Sequence, residues 1–161
     1  MRDKLKTFLE QVGANHAHTG RELADHLLGT YDLLKDKGAP EPLCVAGALH
    51  SIYSTNAFKT ATLTFEQRDL VRETFGSEAE NLAYIFCSIN RPSGLESGVI
   101  VNRFTNKLVF LDHEVIYQLT VLEAANLLEQ KLKNTNRYPK IFEAWNNPLQ
   151  PMTFINEVVN F

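Results

Sequence analysis

Two apolar helical stretches, each with one histidine set into its hydrophobic face, constrain this chain more than any other feature. The first is Leu23-Ala24-Asp25-His26-Leu27-Leu28-Gly29-Thr30-Tyr31 and the second is Ala46-Gly47-Ala48-Leu49-His50-Ser51-Ile52-Tyr53-Ser54-Thr55. At 3.6 residues per turn His26 shares a face with Leu23, Thr30 and Leu33, and His50 with Ala46, Gly47 and Tyr53. Gly29, Ala46, Gly47 and Ala48 are small enough for two helices to approach closely, and the Gly38-Ala39-Pro40 connection is short. The pattern predicts neighbouring helices, antiparallel or steeply crossed, with His26 and His50 facing each other in the interior. Each histidine taken alone reads first as a core residue satisfied by a carbonyl or a hydroxyl. The pair, with His16 and His18 just upstream, also reads as a site.

The rest of the chain fits around that pair. Leu5, Phe8, Leu9 and Val12 predict a short amphipathic helix over 3–12, followed by a polar loop over 13–19 that holds His16 and His18. Thr19 or Gly20 opens the first histidine helix, which runs through Leu34 with Gly38 just past its end. Pro40 stands near the first turn of the second, which reaches about Ser51. Thr64 to Gln67 has capping-box spacing and starts a helix to Phe75, and Ser77 to Glu80 repeats that spacing before a helix carrying Leu82, Ile85, Phe86 and Ile89. Residues 91–98 read as a loop by composition. Residues 99–111 read either as a small hairpin or as irregular chain with a helical turn. Asp112 suits the N-cap of a long helix from His113 to about Lys133. A short helix over 138–145 and a final amphipathic one over 154–161 follow. The expectation is one all-α domain over 1–161, with six or seven helices and at most one hairpin near 99–111.

A chain of 161 residues can bury a core without staples. Its net charge of −3 and its lack of any basic run or basic-aromatic stripe argue against a nucleic-acid surface. No apolar run approaches a membrane span, and the amphipathic start at Met1 to Lys6 lacks a signal-peptide apolar region. Cys44 and Cys87 each sit in an apolar helical pattern and read as buried free thiols, which places the chain in the cytoplasm. Two cysteines are too few for a cysteine zinc site.

His26 and His50 are 24 residues apart, and the second ends the small-residue helix Cys44-Val45-Ala46-Gly47-Ala48-Leu49-His50. This resembles the HD-domain superfamily of metal-dependent phosphohydrolases and related oxygenases. There a histidine on one helix is followed about that far on by a His-Asp pair closing a helix, and a distant aspartate completes the site. Leu122-Glu123-Ala124-Ala125-Asn126-Leu127-Leu128 resembles the last metal-ligand segment. The resemblance covers roughly 16–130, and the run from His18 through Tyr53 is similar to a degenerate branch with His-Ser in place of His-Asp. Ser51 replaces the aspartate of the pair and Asn126 the late one, so both carboxylates are gone.

Two neutral imidazoles suit a transition metal such as Zn or Fe, not Mg or Ca, which want oxygen ligands. A third imidazole would give a three-histidine site with an open position for water. His18 is the natural third ligand, although eight residues of helix rise about 12 Å, so its loop would have to fold back. The expected metal set is therefore His18, His26 and His50, with Ser51 and Asn126 as polar supports. In a metal-free alternative the histidines act as acid/base or hydrogen-bonding groups in a small-molecule pocket. Asp25 points about 100° away from His26 and is a poor ligand.

Arg91 can clamp a carboxylate or phosphate, or it is a surface or capping arginine. Glu123 lies on an apolar face and needs a partner such as Arg91, Arg21 or a histidine unless it sits at a rim. Tyr53 and Thr55, just after His50, can line the same pocket or simply pack. The expected catalytic residues are His26, His50 and Asn126, and the expected substrate-binding residues are Arg91, Tyr53, Ser51 and Glu123. The implied function is a small HD-like enzyme acting on a small polar molecule, phosphorylated compounds included, with hydrolysis implied by the resemblance. The alternatives are a non-catalytic ligand-binding or dimerising module that has lost its metal, and an Fe-dependent oxygenase. The final helix carries enough apolar surface to serve either as core or as the face of a homodimer.

Overall fold

Arg2–Gln11 forms α1, which buries Leu5, Phe8 and Leu9, and the two histidine stretches form α2 (Leu23–Asp36) and α3 (Glu41–Leu49). The computed structural model describes residues 1–14, 17–18, 21–131 and 136–154, with the backbone alone at 17, 18 and 21. α2 begins later than its sequence suggests. Residues 17–18 (β1) and 21–22 (β2) pair as a short antiparallel ladder, in place of the expected polar loop and early helix start. Gly38 takes φ +81° just past α2, and its N–H and that of Ala39 return to Lys35 and Leu34 carbonyls. That is the left-handed stop expected of a glycine after a helix. α2 and α3 are close neighbours at Gly47, where a Cβ would stand 2.5 Å from Leu34 Cδ1 and 3.4 Å from Thr30 Cγ2.

Thr64 and Gln67 form the predicted capping box around a 3-10 turn at Phe65–Gln67. It leads into α4 (Arg68–Phe75), which Gly76 ends. α5 (Ser77–Ser88) departs from its predicted capping box. Gly76 is the N-cap, and Glu80 is buried against two arginines instead of reaching back along its own helix. The glycine-rich stretch after Arg91, expected as loop, winds into a short helix α6 (Ser93–Ser97).

The hairpin reading of 99–111 is what the structure shows: β3 (Val101–Asn102) pairs antiparallel with β4 (Lys107–Leu108). α7 (His113–Glu129) starts at Asp112 and stops four residues short of the expected Lys133, with Lys131 at φ +60°. α8 (Pro139–Asn146) packs on α7. The expected final helix over 154–161 lies outside the described residues beyond Phe154.

The protein is thus all-α with small antiparallel pairs. One cluster of buried apolar residues runs from Leu5 to Phe142. α2, α3 and α7 meet in its middle, with α5 on the far side of α3. No helix among the described residues is long and apolar enough to cross a membrane.

Candidate functional site

His26 lies midway along the first half of α2 and His50 caps the end of α3, so the two imidazoles meet between helices. They are 1% and 0% exposed. Their Nε2 atoms stand 3.1 Å apart, and the rings cross edge to face with centroids 4.9 Å apart. His50 Nδ1 lies 2.6 Å from the Gly47 carbonyl oxygen. A carbonyl only accepts, so Nδ1 of His50 carries a proton, and in a neutral His50 ring Nε2 is then the bare nitrogen. In the His–His hydrogen bond His26 Nε2–H is then the donor.

The other nitrogen of His26, Nδ1, meets Glu129 Oε2 at the end of α7. Glu129 is only 7% exposed in its side chain. With Nε2 of His26 already protonated, one more proton is shared across this contact. It sits on His26, giving an imidazolium against a carboxylate, or on Glu129, giving a neutral pair. The array Glu129–His26–His50–Gly47 is thus a buried line of hydrogen-bonding groups closed at one end by a carboxyl and at the other by a backbone carbonyl. Its carboxyl member is one the sequence reading missed. Glu129 sits next to Gln130 and Lys131 and resembles a solvated helix end. The usable signal was spacing: Glu123, Asn126 and Glu129 recur at i, i+3, i+6 and therefore share one face of α7.

The middle of that face holds a second polar group. Arg91 Nη1 donates to Glu123 Oε2 at 2.8 Å, with the two side chains 5% and 0% exposed. This answers the question of what pairs with Glu123. Burial pushes the Glu123 carboxyl above its ordinary pKa, and Arg91 opposes that push. Asn126 donates weakly to the same Glu123 oxygen at 3.4 Å and accepts from Gln130 at 2.8 Å. Arg91 also lies 4.2 Å above the Phe86 ring, and Phe86 packs edge-on against His50 at 5.6 Å. Arg91 therefore reaches His50 through an aromatic ring, and its guanidinium is turned onto Glu123.

The remaining expected residues separate. Ser51 is buried beside His50. Tyr53 lines a cleft of about 270 Å³ with Leu63, Phe65 and Phe104. Its hydroxyl donates to Glu80 at 3.2 Å, inside a cluster where Arg68 and Arg72 grip the same carboxylate. Burial and then Glu80 raise the Tyr53 pKa, so it stays a neutral phenol. Asp25 and His113 are exposed. Cys87 is buried and donates its S–H to the His50 carbonyl at 3.1 Å. His18 lies in β1, with its side chain outside the described residues, as is the whole of His16. Among the described residues no group of three His, Cys, Asp or Glu side chains is placed to hold a metal ion.

A family model described as Domain of unknown function (DUF6817) matches residues 8–91, just over half of the chain. The match takes in both histidines and Arg91 and ends before Glu123, Asn126 and Glu129. No curated protein and no solved structure matches the chain.

Proposed function

We propose that this chain, which belongs to the family described as Domain of unknown function (DUF6817), is a small-molecule hydrolase in which His26 and His50 hold one transition-metal ion. The observation that carries the reading is the orientation of the two rings. Both Nδ1 atoms are engaged, one by a carboxyl and one by a carbonyl, and both Nε2 atoms point at each other at 3.1 Å. Metal-ligating histidines are held in this way, through the nitrogen that does not bind the ion. Two imidazole nitrogens on one tetrahedral ion at about 2.0–2.1 Å stand roughly 3.3 Å apart, close to the observed separation. The space between two such nitrogens suits a cation, either a proton or a metal.

The donor set favours Zn or Fe over Mg or Ca. Such an ion, when bound, lowers the pKa of a coordinated water and polarises an ester or phosphoryl oxygen. The protein's own groups do the rest. Glu129 fixes the His26 ring and balances charge, Gly47 fixes the His50 ring, and Phe86 closes one side with Arg91 behind it. His18 is the proposed third ligand. The resemblance to HD-domain phosphohydrolases supports hydrolysis of a small polar or phosphorylated substrate and rests on likeness of fold and spacing.

A second reading is favoured by the missing carboxylates and by the engagement of Asn126 with Glu123 and Gln130. In it the His–His contact keeps its proton, and the chain is a binding module without a metal. Elemental analysis of untagged protein purified without chelator separates the two, beside His26→Ala and His50→Ala. Near-stoichiometric Zn or Fe that both variants lose, with turnover of small phosphoesters by the loaded protein, is the expected result. Folded, metal-free protein overturns the metal reading.

A further inference from the structure

The cleft that Tyr53 lines is not used by the histidine pair. It holds about 270 Å³, and Leu63, Phe65 and Phe104 make its other apolar walls. The Phe65 ring lies 5.5 Å from that of Tyr53 and meets Phe104 edge to face at 5.1 Å. Phe104 is 51% exposed, so one of the three rings stays open to solvent. Converging rings in a shallow apolar cleft suit a flat apolar group.

One cation borders this cleft without a counterion. The Arg103 guanidinium packs on two of the walls, 4.0 Å over the Phe104 ring and with Nη2 2.8 Å from Ser54 Oγ. Its Nε donates to the Cys87 carbonyl at 2.6 Å, where a cation suits the C-terminal end of α5. Those contacts hold the group without neutralising it. Arg2, Arg68, Arg72 and Arg91 each pair with a carboxylate. Arg103, half-buried, pairs with none among the described residues, and its Nη1 makes no hydrogen bond there. Burial and then the nearby Arg91 act against its charge.

Ser54 adds a second donor. Its oxygen accepts from Arg103, so its hydroxyl proton is turned elsewhere. Ser54 stands at φ +63°, in the left-handed region where glycine is the unstrained choice. A side chain kept there against strain points to a use for the hydroxyl. Glu66 also lines the cleft, and the Thr64 hydroxyl that bonds its carboxylate lowers its pKa.

We infer that this cleft binds a small aromatic monocarboxylate, with its ring against Phe65 and Phe104 and its carboxylate on Arg103 Nη1 and the Ser54 hydroxyl. Charge selects the ligand. One unneutralised guanidinium balances one negative charge, and the Glu66 carboxylate acts against a second, so a phosphate dianion fits poorly. Size limits it as well, because the cleft falls just below the range of about 300–1,000 Å³ usual for ligand sites. Binding here needs no metal at His26 and His50.

The test is titration of the full chain with trans-cinnamate, followed by backbone amide chemical shifts, beside its neutral amide and inorganic phosphate. Cinnamate should saturate with a Kd of about 1 mM or tighter, as open to so small a ligand, and shift Ser54, Phe65 and Phe104. Cinnamamide should bind at least about tenfold more weakly, because it brings no charge to Arg103. Arg103→Gln should lose the same factor. Arg103 also caps α5, so Ser54→Gly is the second variant, and circular dichroism checks that both are folded. Glycine relieves the backbone at that position, and the missing hydroxyl should weaken cinnamate about fivefold. Glu66→Gln, exposed, should tighten it about twofold. A wild-type chain that does not saturate at millimolar cinnamate overturns the inference. So do shifts confined to the surroundings of His26 and His50, cinnamamide or phosphate binding as tightly as cinnamate, and a folded Ser54→Gly chain with undiminished affinity.

Discussion

Gly29 makes the room that Glu129 occupies: a Cβ on Gly29 would stand 2.5 Å from Glu129 Oε1 and 3.0 Å from its Cγ. Glu129 reaches His26 across α2 because that position has no side chain. In Gly29→Ala the carboxylate must move off His26, and the loss of that buried contact outweighs the gain of about 1 kcal/mol in helix propensity. The expected outcome is a thermal midpoint below that of wild type and, if His26 and His50 hold Zn as proposed, an affinity for it lowered about 10–100-fold because His26 loses its orienting partner. Glu129→Gln, which keeps the shape and loses the charge, should lower affinity similarly. Competition against a chromophoric chelator measures both.

The Arg91–Glu123 pair is expected to be worth most in its breaking. Arg91→Leu leaves a buried carboxyl facing apolar groups and should destabilise the fold by about 3–5 kcal/mol in urea titrations near neutral pH. The sign of its pH dependence follows from the raised Glu123 pKa. A carboxyl raised above its unfolded value contributes stability below that value and loses it as pH rises through the folded pKa. Without Arg91 the folded pKa rises further, so the deficit should be smallest near pH 4.5 and grow towards neutrality. Arg91→Leu/Glu123→Leu should recover most of the loss. A deficit that does not change with pH would mean that Glu123 finds another cation.

Both cysteines should be inert in the native state. Burial pushes the Cys44 thiol up to about 11 and the Cys87 thiol up to about 12, and each donates to a carbonyl, Ala39 O at 3.3 Å and His50 O at 3.1 Å. A thiol reagent near pH 8 is expected to label neither until the protein is unfolded, then both. The preference of the fold for neutral thiols is fully present below pH 9. It is lost as pH rises from there to about 12, so the urea midpoint should fall steeply across that window.

The residues that announced themselves in the sequence are those whose role is set by local period. His26 and His50 converge because small and apolar neighbours at i±3 and i±4 bury them, and Thr64 and Gln67 cap because they lie three residues apart on an exposed turn. The same spacing at Ser77 and Glu80 misled, since Glu80 is taken by Arg68 and Arg72 from the preceding helix. A buried ion pair outweighs a local cap, and no helical period encodes it. Glu129 was hidden for the converse reason. Its partner is 103 residues away, and its marks are the spacing from Glu123 and Asn126 and the absence of a side chain at Gly29.

Asn126 offers the sharpest test of whether the site is decayed or repurposed. Its amide donates towards Glu123 Oε2 at 3.4 Å and accepts from Gln130 at 2.8 Å, on the face of α7 that also carries Glu129. Asn126→Asp replaces a donor with a carboxylate between two other carboxyls, all of them buried. Like charges in that setting disfavour ionisation, and Glu123 loses a hydrogen bond. The metal-free variant should therefore be less stable than wild type by about 1–3 kcal/mol. If His26 and His50 hold a cation, the new carboxylate supplies the negative charge they lack, and added Zn should raise the thermal midpoint of Asn126→Asp by more than it raises that of wild type. Ser51→Asp combined with Asn126→Asp should enlarge that difference. Equal shifts for wild type and both variants would mean that α7 does not face the ion, and that Asn126 serves only to join Glu123 to Gln130.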